Sequence, residues 1–260
     1  MGKRISECFL TAVLFTSLTA YSLAADAGGG IISAIQGDVK MKKAGDTKWE
    51  NAALETIVKE GDTIKTGQDS SVKIVFNDGS VVHYGALTFC EIKKMETDET
   101  SDIRKIYMSL TEGSARLQVE KHGSESSFEI ETPTALCGVR GTDFEVEVEG
   151  DVSTVTVFDG EVDVENRLGK IRKKIRLAKE HSSKIRGENA PTTPLKIKKE
   201  ILKQKLDRWS KKLQKEGLTR DEAVAKVKAR LNKIRKDRAK QPEKGKTPEK
   251  KPKQKIRKRK

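Results

Sequence analysis

The sequence predicts an all-β domain, either solenoid-like or a barrel or sandwich of short strands, followed by an α-helical hairpin and a disordered basic tail. Between residues 26 and 186, short apolar and β-branched runs are separated by turn signals at intervals of about eight to twelve residues. After residue 194, apolar residues recur at intervals of three and four, which is typical of amphipathic helices. The segment 241–260 has almost no core-forming side chain.

The strand signals predict one β domain over residues 30–190. The segment 144–148 alternates strictly between apolar residues and glutamates, so we expect one buried face and one face of solvated carboxylates. No segment between residues 26 and 186 has a convincing helical period. The clearest strand signals lie at residues 31–35, 39–41, 63–66, 72–76, 81–84, 144–148, 154–157, 162–164 and 171–177.

Two Asp-Gly pairs predict β-hairpins. Asp78-Gly79 and Asp159-Gly160 each separate two β-branched runs, which is the strongest local hairpin signal. A type I′ turn requires positive φ at both central residues, and glycine adopts it at the least cost. The pair Gly61-Asp62 marks a further turn before the strand signal at 63–66.

The segment 194–240 predicts a basic helical hairpin. Thr193 is a candidate N-cap with Pro194 at the first helical position, and Gly217 is a candidate stop for the first helix. Thr219 and Glu222 form a capping box for the second helix. We expect the apolar stripes of the two helices to face each other, as in a coiled coil, and not the β domain. The stripes comprise Leu202, Leu206, Trp209 and Leu213 in the first helix and Val224, Val227, Leu231 and Ile234 in the second.

Charge is distributed unevenly along the chain. Residues 26–168 carry 15 basic and 28 acidic residues, a net charge of −13, whereas residues 169–260 carry 36 and 10, a net charge of +26. The segment 241–260 alone carries ten basic and two acidic residues and is expected to be a disordered Lys-rich tail. A basic arm of this kind predicts an anionic partner, either an envelope polymer or an acidic protein. Folding back of the arm on the acidic domain is the alternative that the sequence leaves open.

Residues 1–24 predict a cleavable signal peptide. Lys3 and Arg4 form the positive start, residues 9–18 are mostly apolar, and residues 22–24 read Ser-Leu-Ala, a typical cleavage site. The apolar run is interrupted by Thr and Ser and is shorter than the ~20 residues of a spanning helix, which argues against an uncleaved anchor. We therefore expect a mature chain that starts near Ala25 and is periplasmic or secreted.

Two cysteines remain after the predicted cleavage. Cys90 and Cys137 can form a disulfide, because an exported protein meets oxidising conditions. They can equally be buried thiols, since both lie beside apolar residues and free cysteine is often buried.

No motif in the sequence predicts catalysis, a metal site or a cofactor. His83, His122 and His181 have no neighbours at ligand spacing, and there is no phosphate-binding glycine loop or nucleophile elbow. The aspartates cluster in turns without the dense spacing of a calcium loop. We expect a protein that is not an enzyme.

A series of landmarks makes the chain resemble the FecR domain family. The most specific is Thr132-Pro133 followed by Val-Arg-Gly-Thr at residues 139–142. The others are Gly37-Asp38-Val39, Trp49, Gly61-Asp62 with the strand after it, Phe76 to Ser80, Gly113 to Leu117, and Val157 to Val164 around Asp159-Gly160. Their order and spacing resemble the family over roughly 60% of the chain.

The resemblance implies an all-β fold without catalytic activity, in which the motif residues are mainly structural. Arg140 is the most distinctive of them: its guanidinium could bind a carboxylate ligand, or it could hydrogen-bond turn carbonyls or pair with Asp143. Gly141 is expected to adopt a conformation that other residues resist, and Thr132-Pro133 to position a strand entry. The motif set is Gly61, Asp62, Asp78, Gly79, Thr132, Pro133, Arg140, Gly141, Thr142, Asp159 and Gly160.

The sequence leaves three functions open. The first is an exported, non-catalytic FecR-domain binding or scaffold module of the cell envelope, whose basic arm docks on an anionic polymer or acidic protein. The second is a FecR-type regulator of envelope signalling, as in the sigma-factor and iron-transport regulators of the family. The third is nucleic-acid binding through the basic tail, and the predicted export argues against it.

Overall fold

The computed structural model describes residues 26–98, 103–169, 173–212 and 217–240, which form 18 strands and two helices. The predicted signal peptide and the predicted disordered tail lie outside these residues. The first strands are β1 (Asp26–Ala27), β2 (Gly30–Gln36), β3 (Val39–Lys42), β4 (Glu50–Asn51), β5 (Ile57–Val58), β6 (Thr63–Thr66), β7 (Ser71–Phe76), β8 (Val81–Tyr84) and β9 (Phe89–Asp98). They are followed by β10 (Ile103–Gln118), β11 (Ser127–Glu131), β12 (Ala135–Val139), β13 (Asp143–Glu149), β14 (Val152–Asp159), β15 (Glu161–Asn166), β16 (Lys174–Ala178), β17 (His181–Arg186) and β18 (Leu195–Lys196). The helices are α1 (Lys199–Lys212) and α2 (Arg220–Lys240).

The strands form two open sheets that pack face to face. Sheet A has the order β4-β3-β6-β9-β10-β11-β12-β15-β16, with β1 on the far end of β9. Sheet B has the order β5-β2-β7-β8-β10-β13-β14-β17-β18. The prediction of an all-β domain is confirmed. Of the predicted alternatives, the two open sheets correspond to a sandwich. One hydrophobic cluster with side chains from both sheets fills the space between them.

The long strand β10 belongs to both sheets. Its first part pairs with β9 and β11 in sheet A, and its last part pairs with β8 and β13 in sheet B. Gly113 lies where the strand passes from one sheet to the other, with φ of +87°. A Cβ at this position would lie 2.5 Å from the Cα of Thr88, so the passage requires glycine.

In its second half the chain alternates hairpins between the sheets. The pair β11–β12 lies in sheet A, β13–β14 in sheet B, β15–β16 in sheet A and β17–β18 in sheet B. Each short connection between two such pairs is therefore a crossover from one sheet to the other. Several family-like motifs lie at these crossovers.

The hairpin predicted at Asp78-Gly79 is present between β7 and β8. The amide of Gly79 donates to the carbonyl of Phe76 at 3.0 Å, and the amide of Phe76 donates to the carbonyl of Ser80 at 2.9 Å. Gly79 has φ of +90°, whereas Asp78 is not among the residues with positive φ. The type I′ turn was therefore the wrong prediction: the loop is a three-residue turn that ends on a left-handed glycine.

The hairpin predicted at Asp159-Gly160 is wrong. The strand β14 before this pair lies in sheet B and the strand β15 after it lies in sheet A, and the two strands do not pair with each other. Gly160 has φ of +84°, so the local requirement for glycine was correct. The turn sends the chain to the opposite sheet because each strand finds its partners far away in sequence.

The prediction that the two helices pack on each other is wrong, since both lie on the outer face of sheet B. Ala223 and Val227 of α2 form an apolar cluster with Ile31, Val75 and Val81 of that sheet. The indole of Trp209 in α1 is completely buried against the same sheet. Neither described helix is long and apolar enough to cross a membrane.

One of the predicted helix caps is confirmed and another is wrong. Thr219 and Glu222 form the capping box of α2, with the Thr219 amide donating to the Glu222 carboxylate at 3.0 Å. Thr193 and Pro194 do not begin a helix, because β18 follows them and α1 begins at Lys199. Gly217 approaches the backbone of β2, where a Cβ would lie 2.3 Å from the carbonyl oxygen of Ser33.

The crossover at Gly160 predicts a strong effect of a single methyl group. A Cβ there would lie 3.0 Å from the Gly141 carbonyl oxygen, and φ is positive, so Gly160→Ala should lower the free energy of unfolding by about 1 kcal/mol or more. The control is Gly138→Ala in β12, where a Cβ meets no atom within 4 Å and φ is not positive. Its effect should stay within about 0.5 kcal/mol or be stabilising. Urea unfolding of both variants measures the difference, and equal midpoints would contradict the crossover geometry.

Candidate functional site

A polar row crosses the outer face of sheet B beneath α1. Its members occupy six neighbouring strands and are paired in register from each strand to the next. In order they are Lys73, His83, Arg116, Glu145, Thr156 and Ser182. Such a row is typical of a solvated face, yet His83, Glu145 and Thr156 are buried here.

Glu145 is held by three donors from α1. Its carboxylate has no exposed surface, and its Oε1 accepts a hydrogen bond from Trp209 Nε1 at 2.8 Å. Lys205 Nζ donates to Oε2 at 2.7 Å, and Arg208 Nη2 donates to Oε1. A buried carboxylate is tolerated only when it is paired and hydrogen-bonded, and α1 supplies both.

The neighbouring Glu147 extends this charge cluster. Lys205 and Arg208 reach its two oxygens at 2.6 Å and 3.0 Å. Burial raises the pKa of the Glu147 carboxyl, but the two cations outweigh burial and hold it below its ordinary value. The prediction that the carboxylates of β13 form a solvated face is therefore wrong, because α1 covers that face.

His83 lies next to this cluster and in contact with Trp209. The two rings are 6.3 Å apart between centroids and meet edge to face at 65°. The imidazole is 5% exposed, and its Nδ1 has no hydrogen-bond partner. Burial, together with the smaller effect of the nearby charges of Lys73 and Arg116, lowers the pKa of His83 to about 3. The ring is thus neutral at ordinary pH.

The helix α2 adds ion pairs around its apolar contact. Lys226 and Arg230 both bind the carboxylate of Glu55, and Arg220 binds Glu120. Arg220 also donates from Nε to the carbonyl of Gly79 at 2.8 Å, so the β7–β8 turn contacts the helix start. Part of the basic arm is therefore neutralised by the chain's own acidic domain.

Asp62 organises the turn before β6. Its carboxylate is buried and accepts hydrogen bonds from the amides of Ala44 at 3.0 Å and Lys59 at 2.9 Å and from Lys43 Nζ at 3.1 Å. Gly61 precedes it with φ of +82°. The pair ties two neighbouring loops together, which is a structural role.

Thr132 and Thr134 form a buried hydroxyl network at the β11–β12 loop. The hydroxyls of both residues lie 2.7 Å from the Ser153 hydroxyl on β14. Thr132 Oγ1 also accepts from the Ala135 amide at 2.8 Å, and Pro133 lies between the two threonines. The network links a loop of sheet A to a strand of sheet B.

The expected pairing of Arg140 with Asp143 is wrong. Asp143 accepts two hydrogen bonds from Arg116, at 2.9 Å and 2.7 Å, which is a bidentate pair. The exposed Arg140 instead donates from Nη2 to the carbonyl of His122 at 3.1 Å. This hydrogen bond from Nη2 agrees with the alternative prediction, in which Arg140 binds turn carbonyls.

Gly141 and Thr142 build the crossover from β12 to β13. Gly141 has φ of +66°, as the sequence predicted for it. Thr142 Oγ1 donates to the carbonyl of Glu161 at 2.9 Å and so joins this crossover to the one at Gly160. The side chain of Asp159 lies outside the crossover, paired with Lys179 at 2.7 Å.

A cleft of about 340 Å³ opens beside Arg140 on sheet A. Gly138 lies on its lining, together with Ser127 and the paired residues Asp163 and Arg176. Its lining contains both carboxylates and guanidinium groups, so the cleft has no single charge preference.

The two cysteines are separate buried thiols. Cys90 lies on β9 and Cys137 on β12, three strands apart in sheet A, so their Cα atoms are separated by roughly 14 Å at ~4.8 Å per strand. A disulfide needs Cα atoms within about 7 Å, which excludes the disulfide alternative in this fold. Burial raises the pKa of each thiol to about 12.

No group of three or more His, Cys, Asp or Glu side chains in the described ranges could hold a metal ion. Most residues of the sequence motifs thus lie at turns and crossovers of the fold. The most constrained polar cluster, around Glu145, was not predicted from the sequence. One signal could have found it: α1 carries Lys, Arg and Trp at residues 205, 208 and 209, on one helical face. That face complements an acidic strand such as β13.

Comparison with known proteins shows what part of the β domain is similar to. Residues 62–163 match the family model described as FecR protein. Two solved structures of a proposed anti-sigma factor from Parabacteroides distasonis share 25% sequence identity with the chain, at a TM-score of 0.44. The similarity covers 57% of this chain and 64% and 63% of those two chains, so it spans less than two thirds of their length. No protein of curated function matches the chain.

The buried His83 predicts that mild acid destabilises the folded chain. The unfolded chain binds a proton on this histidine near its ordinary pKa of 6.5, whereas the folded chain keeps the ring neutral down to about 3. Because the unfolded state then binds more protons, the free energy of unfolding falls with falling pH, by up to roughly 1.4 kcal/mol per pH unit. Urea unfolding between pH 7 and pH 5 measures this slope.

The matched variants separate His83 from other groups. His83→Gln should remove most of the slope, while His181→Gln, at a partly exposed histidine of β17, should leave it in place. A slope that persists unchanged in His83→Gln would contradict the assignment.

Proposed function

We propose, from the premise that residues 62–163 form a FecR domain, that this chain is a non-catalytic FecR-type regulator of the cell envelope that works by binding a partner. The family match supports the regulatory role. The predicted leader at residues 1–24 supports export.

The absence of catalysis is supported by what the motif side chains do. Asp62, Thr132 and Thr142 spend their hydrogen bonds on loops and crossovers of the fold itself. The two thiols are buried and protonated, and the neutral His83 is covered by Trp209.

The binding role rests on one observation, the division of the basic residues on the helices. Inward-facing cations such as Lys205 and Lys226 are paired with carboxylates of the acidic domain. The outward face of α2 keeps Lys228, Lys233 and Lys236 exposed to solvent. Folding back of the arm therefore consumes one set of charges and leaves another free for an external polyanion.

The partner we propose for this outward face is an anionic envelope polymer or an acidic protein. The outward basic side chains of α2 lie on a helix that is anchored to a folded domain. They are therefore held in one surface and can bind a polyanion together. Nucleic acid is also a polyanion, through its phosphates, but the predicted export makes it a secondary candidate.

Binding of polyphosphate chains by the full-length protein tests this proposal. Reversing Lys228, Lys233 and Lys236 to Glu should weaken binding about tenfold or more, because counterion release scales with the number of contacts. The control reverses Lys48, Lys105 and Lys184, which are also exposed but lie on the β domain, and changes the net charge equally. Equal losses in both triple variants, or binding insensitive to salt, would refute the outward helix face as the site.

A further inference from the structure

The two helices are attached to sheet B by different chemistry. The helix α2 is anchored by the apolar cluster of Ala223 and Val227 with Ile31, Val75 and Val81. Among the side chains at residues 199–210 of α1, Trp209 alone is completely buried, while Ile201 remains 45% exposed. Its hydrogen bonds to the sheet, within the described residues, are donated by Lys205, Arg208 and Trp209. The attachment of α1 is therefore largely electrostatic.

The surface beneath α1 is unusually polar for a permanent interface. A buried ion pair rarely stabilises more than apolar residues of similar size, because both charges lose their hydration. The face that α2 covers shows that this sheet can carry an apolar contact, through Ile31 and Val75. The polar row under α1 is thus suited to a contact that forms and separates, since its charges are stable in water.

His83 adds a cost that only the closed state carries. Its Nδ1 has no hydrogen-bond partner, and its ring meets the Trp209 indole edge to face, 6.3 Å apart between centroids. A buried polar atom without a partner is unfavourable, and water would satisfy it once the indole leaves. The three donors to Glu145 favour the closed state, in which α1 is seated on sheet B. The unpartnered Nδ1 of His83 favours the open state, in which α1 is released.

We infer that α1 is an autoinhibitory latch, which covers in cis a docking surface on sheet B whose external partner is another basic helix bearing an indole. We infer the chemistry of the partner from α1, which occupies the docking surface. The partner helix should carry a cation, a second cation three residues later and a Trp four residues after the first cation. Lys205, Arg208 and Trp209 have this spacing and share one helical face. Glu145 and Glu147 receive the cations, and His83 packs edge to face with the indole.

This docking surface is separate from the proposed polyanion surface. The latch uses the inward face of α1 and the acidic strand β13, whereas the polyanion would bind the outward lysines of α2. The two proposals therefore fail independently, because the residues reversed in the polyphosphate experiment do not touch Glu145.

A peptide with the sequence of residues 199–212 is the probe for the docking surface. An open full-length variant, Lys205→Ala with Arg208→Ala and Trp209→Ala, should bind this peptide, measured by fluorescence anisotropy. The unchanged chain should bind it at least about tenfold more weakly, because its own helix occupies the site for most of the time. Glu145→Lys added to the open variant should abolish binding, and so should a peptide with Trp209→Ala.

The single variant Arg208→Ala keeps the test decisive if the triple variant does not fold. This side chain is 41% exposed, so its removal should loosen α1 without exposing the core, and binding should lie between the two extremes. Equal binding of the peptide by all variants would overturn the inference. So would no binding by an open variant whose circular dichroism matches that of the unchanged chain.

Discussion

The buried carboxylate of Glu145 decides how the C-terminal part of this chain folds. A glutamate with no exposed surface on the outer face of a sheet needs donors from outside that sheet, and β13 itself provides none for the carboxylate. The helix α1 supplies an indole, an ammonium and a guanidinium. An acidic β domain and a basic helical segment, which composition presents as two parts, are therefore joined into one unit.

The alternation of hairpins between the two sheets explains why the family-like motifs lie at corners of the fold. Because the chain alternates hairpins between two sheets, it must cross the sandwich repeatedly within a few residues. Gly141 and Gly160 have positive φ at two such crossovers, and Thr142 links them by a hydrogen bond to the Glu161 carbonyl. Glycine and small polar residues are needed there because the two crossovers touch.

The sequence predicted what depends on neighbouring residues. The β-strand periodicity, the glycine turn at residues 78–79 and the capping box at Thr219 all arise within a few positions of the chain, and the structure contains each of them. Interactions between distant segments were not predictable in this way. Arg116 outcompetes Arg140 for Asp143 because β10 and β13 are paired strands, which no local pattern reveals.

The helical stripes show the same limit. Their period correctly indicated amphipathic helices, but a period cannot tell which surface the apolar side is packed against. The outward face of sheet B offered Ile31, Val75 and Val81 as an apolar contact and Glu145 as an acidic one, and these outcompeted packing of helix on helix. A polar strand face in the sequence can thus be an interface and not a solvated surface.

A double-mutant cycle between Glu145→Leu and Trp209→Phe tests this account most directly. If the indole and the carboxylate hold α1 on sheet B, the effects of the two substitutions on the free energy of unfolding should be non-additive by about 1 kcal/mol or more. Additivity within about 0.3 kcal/mol would contradict the account, because the two side chains would then contribute to stability independently.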